Sequence, residues 1–112
     1  MIETVIREYL MSVLPVPVYL EIPKRDLPES YVTLEKTGSG RTNHIDRATF
    51  AFQSIAPSMY EASLLNEQVK VAMDEAVVLP DIASSHLNSD YNFTDTTKEY
   101  YRYQAVYDIV HY

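Results

Sequence analysis

The sequence predicts one α+β domain in which a mostly antiparallel sheet of four to five strands packs against two helices. Its length of 112 residues suits a single compact domain spanning the whole chain, residues 1–112. Two segments carry apolar residues at helical spacing, and several others alternate between apolar and polar residues as strands do. The predicted order of these segments is α-β-β-β-α-(β)-β. Strand segments that follow one another directly favour hairpins, so the sheet is expected to be mostly antiparallel.

The first segment is predicted to be an amphipathic helix that ends before Pro15. Its apolar residues recur at steps of three and one, which places them on one side of a helix. This stripe comprises Ile2, Val5, Ile6, Tyr9, Leu10, Val13 and Leu14. Proline disfavours helical geometry in the residue before it, so Pro15 ends the helix. We expect the stripe to pack on the core of the domain.

Three strands are predicted next, over residues 17–22, 30–37 and 47–55, because apolar and polar residues alternate in each. In the third strand, Ala48, Phe50 and Phe52 are expected to face the core, and Arg47, Thr49, Ala51 and Gln53 to face outward. Between the second and third strands, residues 38–43 interrupt the alternation and include both glycines of the chain. We interpret them as a long hairpin tip in which glycine supplies positive φ angles.

The second helix has the clearest start signal in the sequence. Ser58 and Glu61 fit a capping box, in which side chains satisfy the free amides of the first helical turn. Pro80 is expected to end this helix. Its predicted buried stripe comprises Ala62, Leu65, Val69, Ala72, Met73 and Ala76.

The C-terminal part is predicted to contain the longest strand, over residues 99–112. One face of this strand carries Tyr101, Tyr103, Ala105, Tyr107 and Ile109, and the other carries Arg102, Gln104, Val106, Asp108 and Val110. Before it, residues 82–87 suit a short strand, and residues 89–98 are interpreted as a polar connection.

Composition argues against several functions. The formal net charge of −7, from 16 acidic residues against 9 Lys plus Arg, does not suit binding to a phosphate backbone. The absence of cysteine excludes disulfides, thiolate nucleophiles and cysteine-bound zinc. No apolar run approaches the roughly 18 residues of a membrane span, and the first residues do not resemble a secretory signal. We therefore expect a protein of the reducing cytoplasm with no membrane partner.

No motif predicts catalysis, a cofactor or a metal. His44, His86 and His111 have no ligand spacing, and His44 with Asp46 supplies too few donors for a metal ion. The sequence lacks a G-x-S-x-G nucleophile motif, and its carboxylates are explained by a solvated acidic surface. Residues 38–42 lead into a strand, whereas glycine loops that bind phosphate lead into a helix. The chain is therefore not predicted to be an enzyme.

Other features are compatible with assembly. The chain contains 10 tyrosines, which suit surfaces that become covered by a partner, although β-rich domains also use tyrosine. The candidate contact residues are those of the hairpin tip and two outward-facing arginines. They are Gly38, Ser39, Gly40, Arg41, Thr42, Asn43, His44, Arg47 and Arg102. We expect the tip to become ordered on a neighbouring ring or subunit and the arginines to form ion pairs with the acidic helix surface of another subunit. A simple turn and solvated strand positions are the alternative explanation.

The segments taken together resemble the tail terminator proteins of long-tailed bacteriophages, also called minor tail or tail completion proteins. An N-terminal helix is followed by residues 17–23 (PVYLEIP), 31–40 (YVTLEKTGSG) and 46–56 (DRATFAFQSIA). An Ala/Leu-rich helix and residues 101–107 (YRYQAVY) complete the pattern, which covers nearly the whole chain.

This resemblance implies a structural protein of the virion with no catalytic residues. Members of the family form a ring, typically a hexamer, that caps the tail tube and stops its polymerisation. The implied partners are further copies of the chain, the major tail tube protein and the head-side connector or stopper protein, with DNA only passing through the channel. The implied location is the head-proximal end of the tail, and the host cytoplasm during assembly. Three alternatives remain open: another neck component, such as a stopper or completion protein; a small enzyme or ligand-binding α+β domain; and a generic α+β interaction module.

Overall fold

In a computed structural model of the chain, residues 1–94 and 100–112 are described, and they form two α-helices and a five-stranded sheet. The elements in chain order are α1 (Ile2–Val13), β1 (Val18–Tyr19), β2 (Tyr31–Thr42), β3 (Ile45–Ala56), α2 (Met59–Asp74), β4 (Ile82–Asn92) and β5 (Tyr101–His111). A single 3-10 turn, Ala76–Val78, follows α2. The predicted α+β class is confirmed.

The sheet has the strand order β1-β2-β3-β5-β4. The two residues of β1 pair with β2 in parallel, and the other three pairings are antiparallel. Phe52 at the centre of β3 lies opposite Leu34 of β2 and Ala105 of β5. Helix α1 contacts β1 and β2, whereas α2 contacts β3, β4 and β5. Both helices share one apolar core with the sheet, which leaves the other face of the sheet without a helix.

Aromatic side chains form the centre of the core. The rings of Phe50 and Phe52 lie 6.1 Å apart, and the ring of Phe52 lies 6.0 Å from that of Tyr107 in an edge-to-face arrangement. The hydroxyl of Tyr107 donates to the carboxylate of Asp74 at 2.8 Å and lies 3.1 Å from the carbonyl oxygen of Lys70. This side chain therefore connects β5 to the last turn of α2.

We expect the protein to lose stability at alkaline pH. Burial, followed by the hydrogen bond to Asp74, raises the pKa of Tyr107 well above its ordinary value of 10.0. The folded state then holds the phenol proton where the unfolded chain releases it, so this contribution is intact below pH 10 and declines as pH rises above it. Urea unfolding at about pH 8 and about pH 11 measures the effect. The drop should be smaller in Tyr107→Phe, and an equal drop would contradict this assignment.

The predicted helices are confirmed, with two adjustments. In α1, Ile2, Ile6 and Leu10 are buried, whereas Val13 from the predicted stripe is 52% exposed. All six residues of the predicted stripe in the second helix are buried. However, α2 ends at Asp74, before the 3-10 turn, and not at Pro80.

The first predicted strand, residues 17–22, is wrong in length, because only Val18 and Tyr19 pair with β2. Leu20 and Ile22 instead line a shallow cleft over Thr33, Ala51 and Gln53 on the helix-free face of the sheet. The alternating pattern therefore reflects a segment that covers part of the sheet without joining it.

The predicted long hairpin tip is also wrong. Gly38, Ser39, Gly40, Arg41 and Thr42 belong to β2 and pair with residues 45–49 of β3. The turn consists of Asn43 and His44 alone, whose φ angles are 52° and 66°, and neither glycine has a positive φ. Positive φ at both central residues is the property of type I′ turns, whose twist matches that of paired strands. A bulge between Lys36 and Gly38 accounts for the break in alternation.

The strand predicted at residues 82–87 extends further, to Asn92. Its register shifts twice, between Ile82 and Ser84 and between Leu87 and Ser89. Each bulge reverses which residues face the core, so the sequence has no steady period of two. The predicted polar connection at residues 89–98 is therefore wrong up to residue 92. Its part at 95–98 and the predicted strand start at Glu99 lie outside the described residues.

We expect His44→Gly to stabilise the protein by up to about 1 kcal/mol. A left-handed conformation costs a residue with a Cβ roughly 1–2 kcal/mol, and part of the gain is offset by the greater freedom of glycine in the unfolded chain. Chemical denaturation measures the change. The control His44→Ala keeps the Cβ and should not stabilise; equal stabilisation by both variants would contradict the explanation.

Candidate functional site

The helix-free face of the sheet carries hydrogen bonds between side chains on neighbouring strands. Thr49 on β3 donates to one carboxylate oxygen of Asp108 on β5, and Asn88 on β4 donates to the other, both at 2.9 Å. Gln53 donates to Gln104 at 2.9 Å. The register thus places the predicted outward-facing residues of β3 and β5 on one face. These contacts brace the sheet across three strands.

A groove of about 620 Å³ lies on this face beside Gly38 and Gly40. The glycines lie on β2 next to Arg47 of β3, and Asp108 of β5 and His86 of β4 line the groove on the other side of Arg47. Two donors already occupy the carboxylate of Asp108, so it acts here as a structural acceptor. The groove is an open depression in which a guanidinium, an imidazole and a carboxylate lie among small side chains.

The end of the β2–β3 hairpin, residues 41–47, is called here the hairpin end. Arg41 and Asp46 pair across its strands through two contacts, at 2.7 and 3.2 Å. The hydrogen bond from Arg41 lowers the pKa of Asp46. Ile45 is 42% exposed although it is apolar, and Arg47 follows it on the same face of β3. The hairpin end is thus an ordered structure with an apolar residue beside a cation.

The structure brings together all the predicted contact residues except Arg102. Gly38–His44 and Arg47 lie at or next to the hairpin end. Arg102 lies near the other end of β5, with its guanidinium 4.8 Å from the centre of the Phe93 ring and its Nε donating to the Phe93 carbonyl at 3.2 Å. The two arginines therefore cannot serve one contact point.

A cleft of about 330 Å³, called here the helix cleft, lies between the two helices and was not predicted from the sequence. The residues that line it are Tyr9, Val13, Leu14, Pro15, Glu67, Gln68, Val71, Ala72 and Glu75. The Tyr9 hydroxyl donates to the Ala72 carbonyl at 2.8 Å and ties the helices together beside the cleft. Burial first, and then the charge of Glu75, raises the pKa of Tyr9. The helix cleft is an apolar depression with acidic residues in its wall.

A sequence signal for this surface exists in α2. Leu64 and Val71 are spaced by seven residues and lie away from the buried stripe. Both are exposed, and Val71 is 57% exposed. Spacing by seven places residues close to one line along a helix. A second apolar stripe on a helix that already has a buried one indicates a further contact surface.

Some tyrosines are buried within the subunit, as in other β-rich domains, and others lie on surfaces that a partner can cover. Tyr31 and Tyr107 are buried, and Tyr9 is half-buried between the helices. By contrast, Tyr60, Tyr91, Tyr100, Tyr101 and Tyr112 are exposed. The buried tyrosines stabilise the single subunit, and the exposed tyrosines are available to a partner.

Comparison with known proteins gives no family for this chain. No protein family matches it, and no curated protein sequence matches it. Within residues 1–94 and 100–112, no cluster of three or more His, Asp or Glu side chains is placed to hold a metal ion. Neither helix of the described chain is long and apolar enough to cross a membrane.

Proposed function

We propose that this protein is a tail terminator, a structural protein that forms a ring on the end of a phage tail tube and stops its growth. The observation that carries the proposal is a pair of unlike exposed surfaces on one small subunit. One is the hairpin end, with Ile45 beside Arg47, and the other is the apolar helix cleft with Glu67 and Glu75 in its wall. A closed ring needs two different patches of this kind on every subunit.

The ring is proposed to be a hexamer, as the resemblance to tail terminators implies. The net charge of −7 suits a channel through which DNA passes without adhering, because like charges repel. The remaining exposed surfaces, above all the helix-free face of the sheet, are available to the tail tube protein on one side and to the head-side connector on the other. At the head-proximal end of the tail, the ring would stop tube growth by covering the tube end, without any chemical reaction.

A tube-capping experiment tests this function. Purified protein is added to tail tube protein while the tube polymerises, and tube lengths are measured by negative-stain electron microscopy. We expect the tubes to stop growing and to carry extra density at one end. The control is the same reaction with a protein of similar size and charge. Unchanged tube lengths with no bound protein would overturn the proposal.

The same assay separates a terminator from the alternative neck component. A stopper or completion protein acts on a tail that has already been capped, or on the head-side connector. It is therefore expected to leave the polymerisation of bare tubes unchanged.

A further inference from the structure

We propose that the ring closes by insertion of the hairpin end of one copy into the helix cleft of the next, with Ile45 entering the cleft and Arg47 pairing with Glu75. This inference rests on the proposed function, because it names the two surfaces that meet in the ring. It commits to a second copy of this chain as the occupant of the helix cleft.

The hairpin end is built as a rigid insert. The turn has only two residues, Asn43 and His44, and the Arg41–Asp46 pair links the strands directly behind it. Ile45 lies immediately after the turn and remains 42% exposed in the lone subunit. Little further ordering is then needed when this end meets a partner, which favours association.

The helix cleft is built as a receptor for an apolar side chain. Val13, Pro15 and Val71 supply its apolar wall, and its volume of about 330 Å³ leaves room for an isoleucine side chain. Both valines are more than half exposed in the lone subunit. Exposed apolar surface grouped in a concave site is typical of a protein contact.

Charge complementarity selects the hairpin end as the occupant. Arg47 is exposed and has no ion-pair partner within residues 1–94 and 100–112. Of the two acids in the cleft wall, Glu67 is bound by Lys70 at 2.8 Å, whereas Glu75 makes no ion pair with any described residue. The hairpin end, with Ile45 beside the cation of Arg47, is therefore complementary to the apolar helix cleft with the carboxylate of Glu75 in its wall.

The contact must join two different copies. In the lone subunit, Lys36 in the middle of β2 lies 3.6 Å from Glu3, so β2 passes the first turn of α1 there and the hairpin end lies further along the strand. The helix cleft lies at the other end of that helix, next to Val13 and Pro15. A 12-residue helix is about 18 Å long, which separates the hairpin end from its own cleft. A contact between two separate patches is head-to-tail and generates a ring when it closes.

Disulfide trapping tests the contact, and the chain is suited to it because it contains no cysteine. The variant Ile45→Cys with Val71→Cys is oxidised under conditions in which the wild-type protein assembles, in solution or on tube ends. We expect a ladder of covalent multimers that ends at the ring size. The control Ile45→Cys with Val78→Cys places the second thiol at another exposed valine that does not line the cleft. We expect no ladder from it, since a disulfide requires Cα atoms within about 7 Å.

A charge exchange tests the same contact without cross-linking. Arg47→Glu is expected to weaken assembly at least tenfold, and Arg47→Glu with Glu75→Arg to recover most of the loss. Glu75→Arg alone should weaken assembly as the first variant does. Both residues are exposed in the lone subunit, so circular dichroism should show unchanged folding.

The outcomes separate this inference from the proposed function. Rings or capped tubes that form without the Ile45–Val71 ladder, or with an equal Ile45–Val78 ladder, overturn the inference and leave the function standing. Failure of the charge exchange to restore assembly also counts against it. A protein that stays monomeric and caps no tube overturns both.

Discussion

Val71→Asp is expected to leave the subunit folded and to weaken its self-association at least 100-fold. Val71 is 57% exposed, so the new carboxylate stays in water in the lone subunit. In the proposed ring it would be buried among Val13 and Pro15, close to Glu67 and Glu75. Burying an unpaired charge costs several kcal/mol, and each 1.4 kcal/mol corresponds to about a tenfold change in affinity. Sedimentation velocity measures association, and thermal denaturation measures the fold.

The matched control for this variant is Val78→Asp. It makes the same chemical change at a valine that is also exposed and lies outside the helix cleft. We expect it to assemble as the wild-type protein does. Normal assembly of Val71→Asp, or an equal loss in both variants, would contradict the role given to the cleft.

Phe52→Ala is expected to lower the free energy of unfolding by about 3–5 kcal/mol. Its ring is fully buried and lies about 6 Å from the rings of both Phe50 and Tyr107. Removing it leaves a cavity that packed strands on both sides cannot fill. Small domains are stable by only about 5–15 kcal/mol, so the variant should be close to unfolding. Urea denaturation followed by circular dichroism measures the loss.

Phe93→Ala is the matched control, because it removes the same side chain from a position that is 43% exposed. Its ring packs under the guanidinium of Arg102, a contact that contributes about 0.5–1 kcal/mol at exposed sites. We expect a loss of about that size. Similar losses in the two variants would show that Phe52 is not central to the core.

The sequence predicted the elements in which local pattern and tertiary packing agree. In α2, the stripe with helical spacing coincides with the buried face. As predicted, Ser58 accepts a hydrogen bond from the backbone amide of Glu61 at 3.2 Å. The Glu61 carboxylate accepts from the Ser58 hydroxyl at 2.9 Å, whereas the capping box assigns it a backbone amide. Strand β5 shows the same agreement in its second half, where Ala105, Tyr107 and Ile109 of one predicted face are buried, whereas Tyr101 of that face is exposed at the start of the strand.

The wrong predictions have causes that lie outside the local sequence. Gly38 and Gly40 suggested a turn, but pairing with residues 47–49 of β3 keeps them in β2. Two bulges in β4 removed the alternation by which a strand is recognised. In residues 20–22, an alternating pattern belongs to a segment that lies across the sheet. Strand pairing between distant parts of the chain decided each of these cases.

The candidate site was predicted in part. Most residues of the hairpin end were predicted as contacts because they fell in the predicted tip or on an outward strand face, and the structure places them together. Ile45, the residue proposed to enter the helix cleft, was not among them. The helix cleft was not predicted, because it depends on how α1 packs against α2 beside the hydrogen bond from Tyr9 to Ala72. Val13 was assigned to the buried stripe of its helix, yet it lines the cleft and is exposed. The spacing of Leu64 and Val71 in α2 was the local signal available.

The most direct test of the central claim is the mass of the assembled protein. Static light scattering of the protein alone over a concentration series gives the number of copies that associate, and electron microscopy of tail tubes shows whether copies bind at their ends. We predict one discrete species of fixed copy number, six if the resemblance to tail terminators holds in full, with no growth beyond it. A mass that stays at the 12.9 kDa of one chain at every concentration, with no copies bound at tube ends, would contradict the account.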